Sequence, residues 1–258
     1  MSEEKRGAHE FLSAPAVYDL FVDEESRLER ERELLTRLAA GSSAGERGVL
    51  DLACGTGMHG AFFARRGYRV TARDADPEMI AHARARWSTE ENIEWSLHDM
   101  REPSKGRFGL IICLGNSLSM LPDENALSQT MRAVADQLDG GGRFLLQILD
   151  YRSLRADGHR LTYKASSLGG REIAIVKLLA ARGEEVIASF LVLERDAADQ
   201  KGAWSSRSTV SRLSPWEPDE IRHSLSSAGL EVLEEYSAFS GKRFAPGEGP
   251  DYIVIAGR

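Results

Sequence analysis

The chain has 258 residues, 42% of them hydrophobic, and a formal net charge of −7. That balance leaves enough apolar surface for a sizeable core and argues against a nucleic-acid partner, which needs a basic face. Two cysteines, Cys54 and Cys113, sit in neither a C-x-x-C pair nor a Cys/His cluster, so no metal site is readable.

Residues 1–14 read as loose and charged, with no secretory signal, and the two thiols fit a reducing cytoplasm. No run approaches the ~20 apolar residues of a membrane span. Ala16–Phe21 comes next. Glu24–Ala40 reads as a charged helix with Leu28, Leu34, Leu35 and Leu38 as its apolar stripe, stopped by Gly41. Gly41–Gly48 reads as a flexible link. Val49–Leu52 is a short apolar strand that carries an acid, Asp51. Further strands are expected at Tyr68–Ala72, Ile93–Leu97, Phe108–Leu114 and Arg143–Leu149. Helices are expected over Asp76–Trp87 and from Pro122–Asp123 to about Leu138, with Gly140–Gly142 as a hard stop. Strands alternating with helices at this spacing predict an α/β fold, a Rossmann-like parallel sheet covered on both faces.

The pattern changes after Asp150. Leu161–Leu213 reads as three or four strands, with turns at Gly169–Gly170, Gly183–Glu184 and Gln200–Gly202. This predicts an antiparallel β insertion at 151–214 between core pieces 1–150 and 215–258, serving as a substrate lid or a dimer surface. Pro218–Ala228 reads as a helix ended by Gly229, and Leu230–Tyr236 and Tyr252–Ala256 return to the main sheet.

The stretch VLDLACGTGMHG places Gly55, Gly57 and Gly60 in G-x-G-x-x-G spacing between a strand and a helix. Glycines are expected there because the turn passes close under a ligand. Dinucleotide dehydrogenases share the spacing, but a pyrophosphate over this turn would be repelled by Asp51. S-adenosylmethionine has no phosphate and carries a sulfonium and an ammonium that favour nearby anions. The stretch resembles motif I of the class I S-adenosylmethionine-dependent methyltransferases, which implies cofactor contacts at Asp51, Ala53, Gly55, Thr56 and Gly57. Asp74 follows Gly55 by 19 residues, at the tip of the second strand. There a carboxylate can accept from both ribose hydroxyls. ARDADPEMI resembles the family's second motif, which adds Ala75 and Met79; Arg73 departs from the small residue usual at its place. Asp99 and Met100 fall where the family meets adenine.

ICLGNSLSMLPD resembles the fourth motif of glycine N-methyltransferase and related small-molecule enzymes. It implies Leu114 beside the cofactor and Asn116 as a substrate-positioning amide. The Asn/Asp-Pro-Pro-aromatic run of nucleic-acid amino methyltransferases is missing, and Asn116 stands where catechol-type enzymes need a metal-binding carboxylate. LLQILDYRSL resembles the segment where glycine N-methyltransferase holds its substrate carboxylate, and Arg152 falls on that arginine. VYDLFVDEESRL resembles the cofactor lid, with Tyr18 and Phe21 as covering aromatics and Arg27 on the methionine carboxylate. No histidine takes a role. The resemblance implies metal-free methyl transfer from S-adenosylmethionine to a small molecule, an amine or amino acid. It leaves room for a homodimer through the insertion and implies no nucleic-acid or membrane partner. The alternatives are a nicotinamide-dependent oxidoreductase and a non-catalytic cofactor-binding module.

Overall fold

The computed structural model describes residues 15–103, 105–183, 185–198 and 203–258. The loose reading of 1–14 and the turns at 184 and 200–202 lie outside the described residues. Helices α1 (Pro15–Phe21), α2 (Glu24–Ala40) and α3 (Ala44–Arg47) precede the first strand. Asp23 caps α2 by accepting from the Ser26 N–H. The core then runs β1 (Val49–Leu52), α4 (Met58–Ala64), β2 (Val70–Asp74), α5 (Pro77–Arg86), β3 (Ile93–Leu97), β4 (Phe108–Cys113), α6 (Glu124–Gln137) and β5 (Leu138–Leu149). Helix α7 (Tyr151–Asp157) leads into strands β6 (His159–Leu168), β7 (Arg171–Arg182), β8 (Glu185–Asp196) and β9 (Ser205–Leu213). Helix α8 (Pro218–Ser227) and strands β10 (Glu231–Tyr236) and β11 (Asp251–Gly257) follow.

The main sheet has the order β10-β11-β5-β4-β1-β2-β3, and β11 is its single antiparallel member. The four residues of β1 and all six of β4 are buried, as expected of central parallel strands covered on both faces. Two apolar clusters cover those faces: Phe63, Leu110 and Ile112 belong to one, Phe144, Ile111 and Met131 to the other. The chain order reverses between β1 and β4, and their carboxyl ends open the crevice where α/β sheets take ligands. The second sheet, β6-β7-β8-β9, is antiparallel throughout, which is the expected β insertion.

Several boundaries differ from the sequence reading, each for a physical reason. The second strand starts at Val70, which pairs with Val49, while Tyr68 packs the edge of its ring on Phe63. Gly140–Gly142, expected as the stop between a helix and a strand starting at Arg143, lies inside the strand. Phe108 faces Leu138 and Leu110 faces Arg143, so the glycines bulge out of a continuous β5. The link after α2 contains α3, and Asp150 caps the unforeseen α7 by accepting from the Arg152 N–H. Arg73 turns away from the crevice: its guanidinium donates to Gln137 at 2.8 Å and stands over the Phe108 ring.

Gly57 is required by the protein's own packing, not by a ligand. Its φ is +87°, and an added Cβ would lie 2.3 Å from the Trp95 ring. At Gly60 the nearest atoms stand at an ordinary 3.5 Å. Gly57→Ala is expected to lower stability by about 2–4 kcal/mol, from left-handed strain plus overpacking. Gly60→Ala is expected to stay within about 1 kcal/mol. Urea denaturation midpoints of the two variants check the contrast.

Candidate active site

The crevice is built around the turn after β1. Ala53 and Gly55 both take φ of +56°, and the turn delivers the chain to the start of α4. Asp74 holds it from the neighbouring strand. One carboxylate oxygen accepts the Gly55 N–H at 2.8 Å and the other accepts the Asp76 N–H at 2.9 Å. Burial pushes the Asp74 pKa up; the backbone donors offset that only in part. Tyr18, Arg27, Ala53, Gly55, Thr56 and Leu114 line one cleft together with His59 and Gly115. It encloses about 380 Å³, open mouth included.

Of the two acids beside the turn, Asp51 is buried and Asp74 half-buried, and neither lines the cleft wall. Asp51 is 1% exposed, and its Oδ2 has no hydrogen-bond partner. Desolvation raises its pKa to about 6, with Asp74 adding to the effect and His59 and Arg27 opposing it. Arg27 donates through Nε to Glu31 Oε1 at 2.8 Å, and the other Glu31 oxygen lies 2.6 Å from His59 Nε2. Burial alone would raise the Glu31 pKa, but the His59 hydrogen bond and the charges of His59 and Arg27 hold it below its ordinary value. The remaining guanidinium nitrogens of Arg27 stand at Gly115, where an added Cβ would lie 3.4 Å from Nη2.

A second cavity of about 570 Å³ adjoins the first and shares Arg27 and Gly115 with it. Its other walls are Arg30, Glu31, Gln147, Leu149, Lys177, Phe239 and Asp251, with Asn116. Gln147 accepts the Gly115 N–H at 2.8 Å and donates to Asp251 at 2.8 Å, so one amide ties the junction to the far wall.

The sequence model of a methyltransferase domain matches residues 49–142, from β1 into β5. This segment is a class I methyltransferase domain. Glycine N-methyltransferase of the rabbit, Oryctolagus cuniculus, is 31% identical over 158 residues, 54% of this chain and 52% of the relative. The chain spans about half the length of the glycine N-methyltransferases it matches. The cypemycin N-terminal methyltransferase of a Streptomyces species is 25% identical over 243 residues, 90% of this chain and 94% of that one. The structure of CalS10 with bound S-adenosylmethionine, an amino pentose methyltransferase from Micromonospora echinaspora, superimposes with a TM-score of 0.70 at 23% identity. It covers 88% of this chain and 89% of that chain, a likeness of fold.

Within and around the methyltransferase domain, the structure redirects several side chains that the sequence assigned to the site. Asn116 lines the second cavity, and its amide also serves the fold. Its φ is +68°, its Oδ1 accepts from Leu149 N–H and Ser119 Oγ, and its Nδ2 donates to Tyr151. These bonds fasten the end of β4 to β5 and α7 and leave one amide N–H without a bond to the protein among the described residues. Arg152 lines neither cavity; its Nε donates to Glu217 at 2.9 Å. Phe21 meets the insertion instead of the cleft, edge-on to Phe190 at 6.1 Å. Asp99 is engaged by the Arg101 guanidinium and backbone, which holds its pKa down. Met79 is a buried core residue, Met100 packs on the core beneath β5, and neither they nor Ala75 line the cleft.

Two residues of the cleft escaped the sequence reading, Glu31 and His59. The sign was there for Glu31: it falls in the Leu28–Leu35–Leu38 stripe of α2, where an acid is out of place without a partner. Asp51 gives a pH test of the site. An acid whose pKa is raised by folding lends stability that is complete below about pH 4 and is lost as pH rises through about 6. The loss is on the order of 3 kcal/mol. Asp51→Asn is therefore expected to gain stability relative to the parent between pH 4 and pH 8, read from paired denaturation curves at the two pH values.

Proposed function

We propose that the protein transfers a methyl group from S-adenosylmethionine to a small-molecule amine, without a metal. The observation that carries this reading is the pair of cavities meeting at Gly115 and Arg27, one on the glycine turn and one beneath the insertion. Two substrates entering from either side would meet at that junction.

The residues of the first cleft fit the cofactor. The unpartnered, buried Asp51 oxygen suits a cationic ligand. A Cβ built on Gly55 meets nothing within 4 Å, which leaves the turn open to a ligand's body. Arg27 has guanidinium donors beyond its bond to Glu31 and suits a carboxylate. Two acids, Asp51 and Asp74, make the same turn hostile to a diphosphate. When bound, S-adenosylmethionine supplies a methyl group on positively charged sulfur, which an acceptor lone pair takes in line as the carbon–sulfur bond breaks. The protein's share is alignment and exclusion of water. Gly115 permits close approach at the junction, Gln147 sets the position of the Gly115 amide, and Tyr18 closes the cleft from α1. The amino-group methylation named for several relatives and structural neighbours supports nitrogen as the acceptor atom.

The insertion belongs to the same proposal, as the roof of the acceptor cavity and as a dimer surface. Its outer face leaves Leu161, Tyr163 and Val210 more than half exposed. Among the described residues, no helix is long and apolar enough to cross a membrane. The buried, free Cys54 and Cys113 suit a reducing cytoplasm.

Calorimetric titration is expected to show binding of S-adenosylmethionine and none of NAD; the reverse result would end the reading. Arg27→Ala and Asp74→Ala are each expected to weaken that binding about tenfold or more. Asp74 acts on the ribose and through the Gly55 turn, whereas Arg27 acts on the carboxylate. 5′-Methylthioadenosine, which lacks the amino-acid end, should therefore discriminate between the parent and Asp74→Ala, and not between the parent and Arg27→Ala.

A further inference from the structure

Strand β7 has a residue out of pattern. Ile173, Ile175 and Leu179 alternate along its inner face and are 4%, 1% and 4% exposed. Lys177 occupies the next position in the same row, where alternation calls for an apolar side chain. On one side of it α1 packs Val17 on Ile173 and Ile175; on the other, α7 packs Tyr151 and Leu154 on Leu179. The gap between these two clusters is the second cavity, and Lys177 lines it.

Among the described residues no carboxylate pairs with the Lys177 ammonium. It stands 5.2 Å from the Phe190 ring centre and 5.9 Å from that of Phe21. The charges nearest to it, Arg160 and Arg27, have its own sign, and with burial they pull its pKa down to about 8. Asp251 presents the opposite imbalance. It accepts one hydrogen bond, from Gln147, and no cation pairs with it among the described residues. Gln147 also accepts the Gly115 N–H, which places Asp251 beside the junction of the two cavities. Besides Arg30 and the Arg27–Glu31 pair, the cavity thus holds a cation on the insertion and an anion on the main sheet that are joined neither to each other nor to another charged side chain among the described residues. Both are half-buried and open to the cavity, so each can take a partner from outside the chain.

We propose that Lys177 and Asp251 hold opposite ends of the acceptor, which is a small zwitterion: an amine that also carries a carboxylate. The proposal rests on the methyl-transfer reading above. Asp251 receives the amino group next to Gly115, and Lys177 receives the carboxylate beneath the insertion. Arg152, engaged by Glu217, takes no part.

The test pairs glycine, β-alanine and 4-aminobutyrate with their amides, using the full chain and S-adenosylmethionine and reading release of S-adenosylhomocysteine. The parent is expected to methylate at least one of the acids with kcat/KM about tenfold or more above its amide. Lys177→Met is expected to erase that preference by raising KM for the acid more than for the amide, with affinity for S-adenosylhomocysteine unchanged. Lys177→Arg should restore most of it. Asp251→Asn should lower kcat/KM for acid and amide alike. Equal rates within every pair, no turnover of any acid, or a preference that survives in Lys177→Met would overturn the proposal. Calorimetry with S-adenosylhomocysteine separates the two levels. Intact binding alongside one of those results condemns the zwitterion alone, whereas no binding also condemns the methyl-transfer reading.

Discussion

Glu31 is the contact on which the site depends. It is buried in α2, and its two oxygens are divided between Arg27 on its own helix and His59 on α4. The bond to His59 fixes α2 against the first helix after the glycine turn. The bond to Arg27 fixes the guanidinium at Gly115, where the two cavities meet. A buried carboxylate with two such partners is a poor source of net stability, because desolvation consumes most of the attraction. It does determine geometry, since removing either partner leaves a charge stranded. The N-terminal helices are thereby tied to the sheet's crevice by more than apolar packing.

The two cavities differ in how they are assembled. Nearly half of the wall of the first comes from one stretch, Ala53–His59, and the rest from the N-terminal helices with Tyr18 and Arg27 and from the end of β4. The second draws on α2, the end of β4, β5, β7 and the start of β11. The matched family segment stops at residue 142, so Gln147, Lys177 and Asp251 all lie beyond it. The matched segment therefore includes most of the wall of the first cavity and little of the second.

The same division governs what the sequence revealed. The strand–turn–helix order, the insertion and the cleft-lining Tyr18, Arg27, Gly55 and Leu114 follow from patterns local to the chain. Patterns fix a residue's place along the backbone, not the partner its side chain finds. Asn116, Arg152 and Phe21 stand where motif spacing put them, yet nearer groups claim each: Tyr151 and the Leu149 amide, Glu217, and Phe190. The glycines at 140–142 read as the stop between a helix and a strand because composition does not show that a strand can carry them as a bulge. Lys177 was visible as a lysine among alternating apolar residues, but only the fold shows that the gap it enters is a cavity.

The scatter of the second cavity along the chain also bears on how it comes to exist. Arg27, Gly115, Lys177 and Asp251 can meet only after very long loops have closed, and such closures are entropically late and slow. The glycine turn needs only its own neighbourhood and β2. The second cavity is therefore expected to form later than the glycine turn and to open before it under mild denaturant.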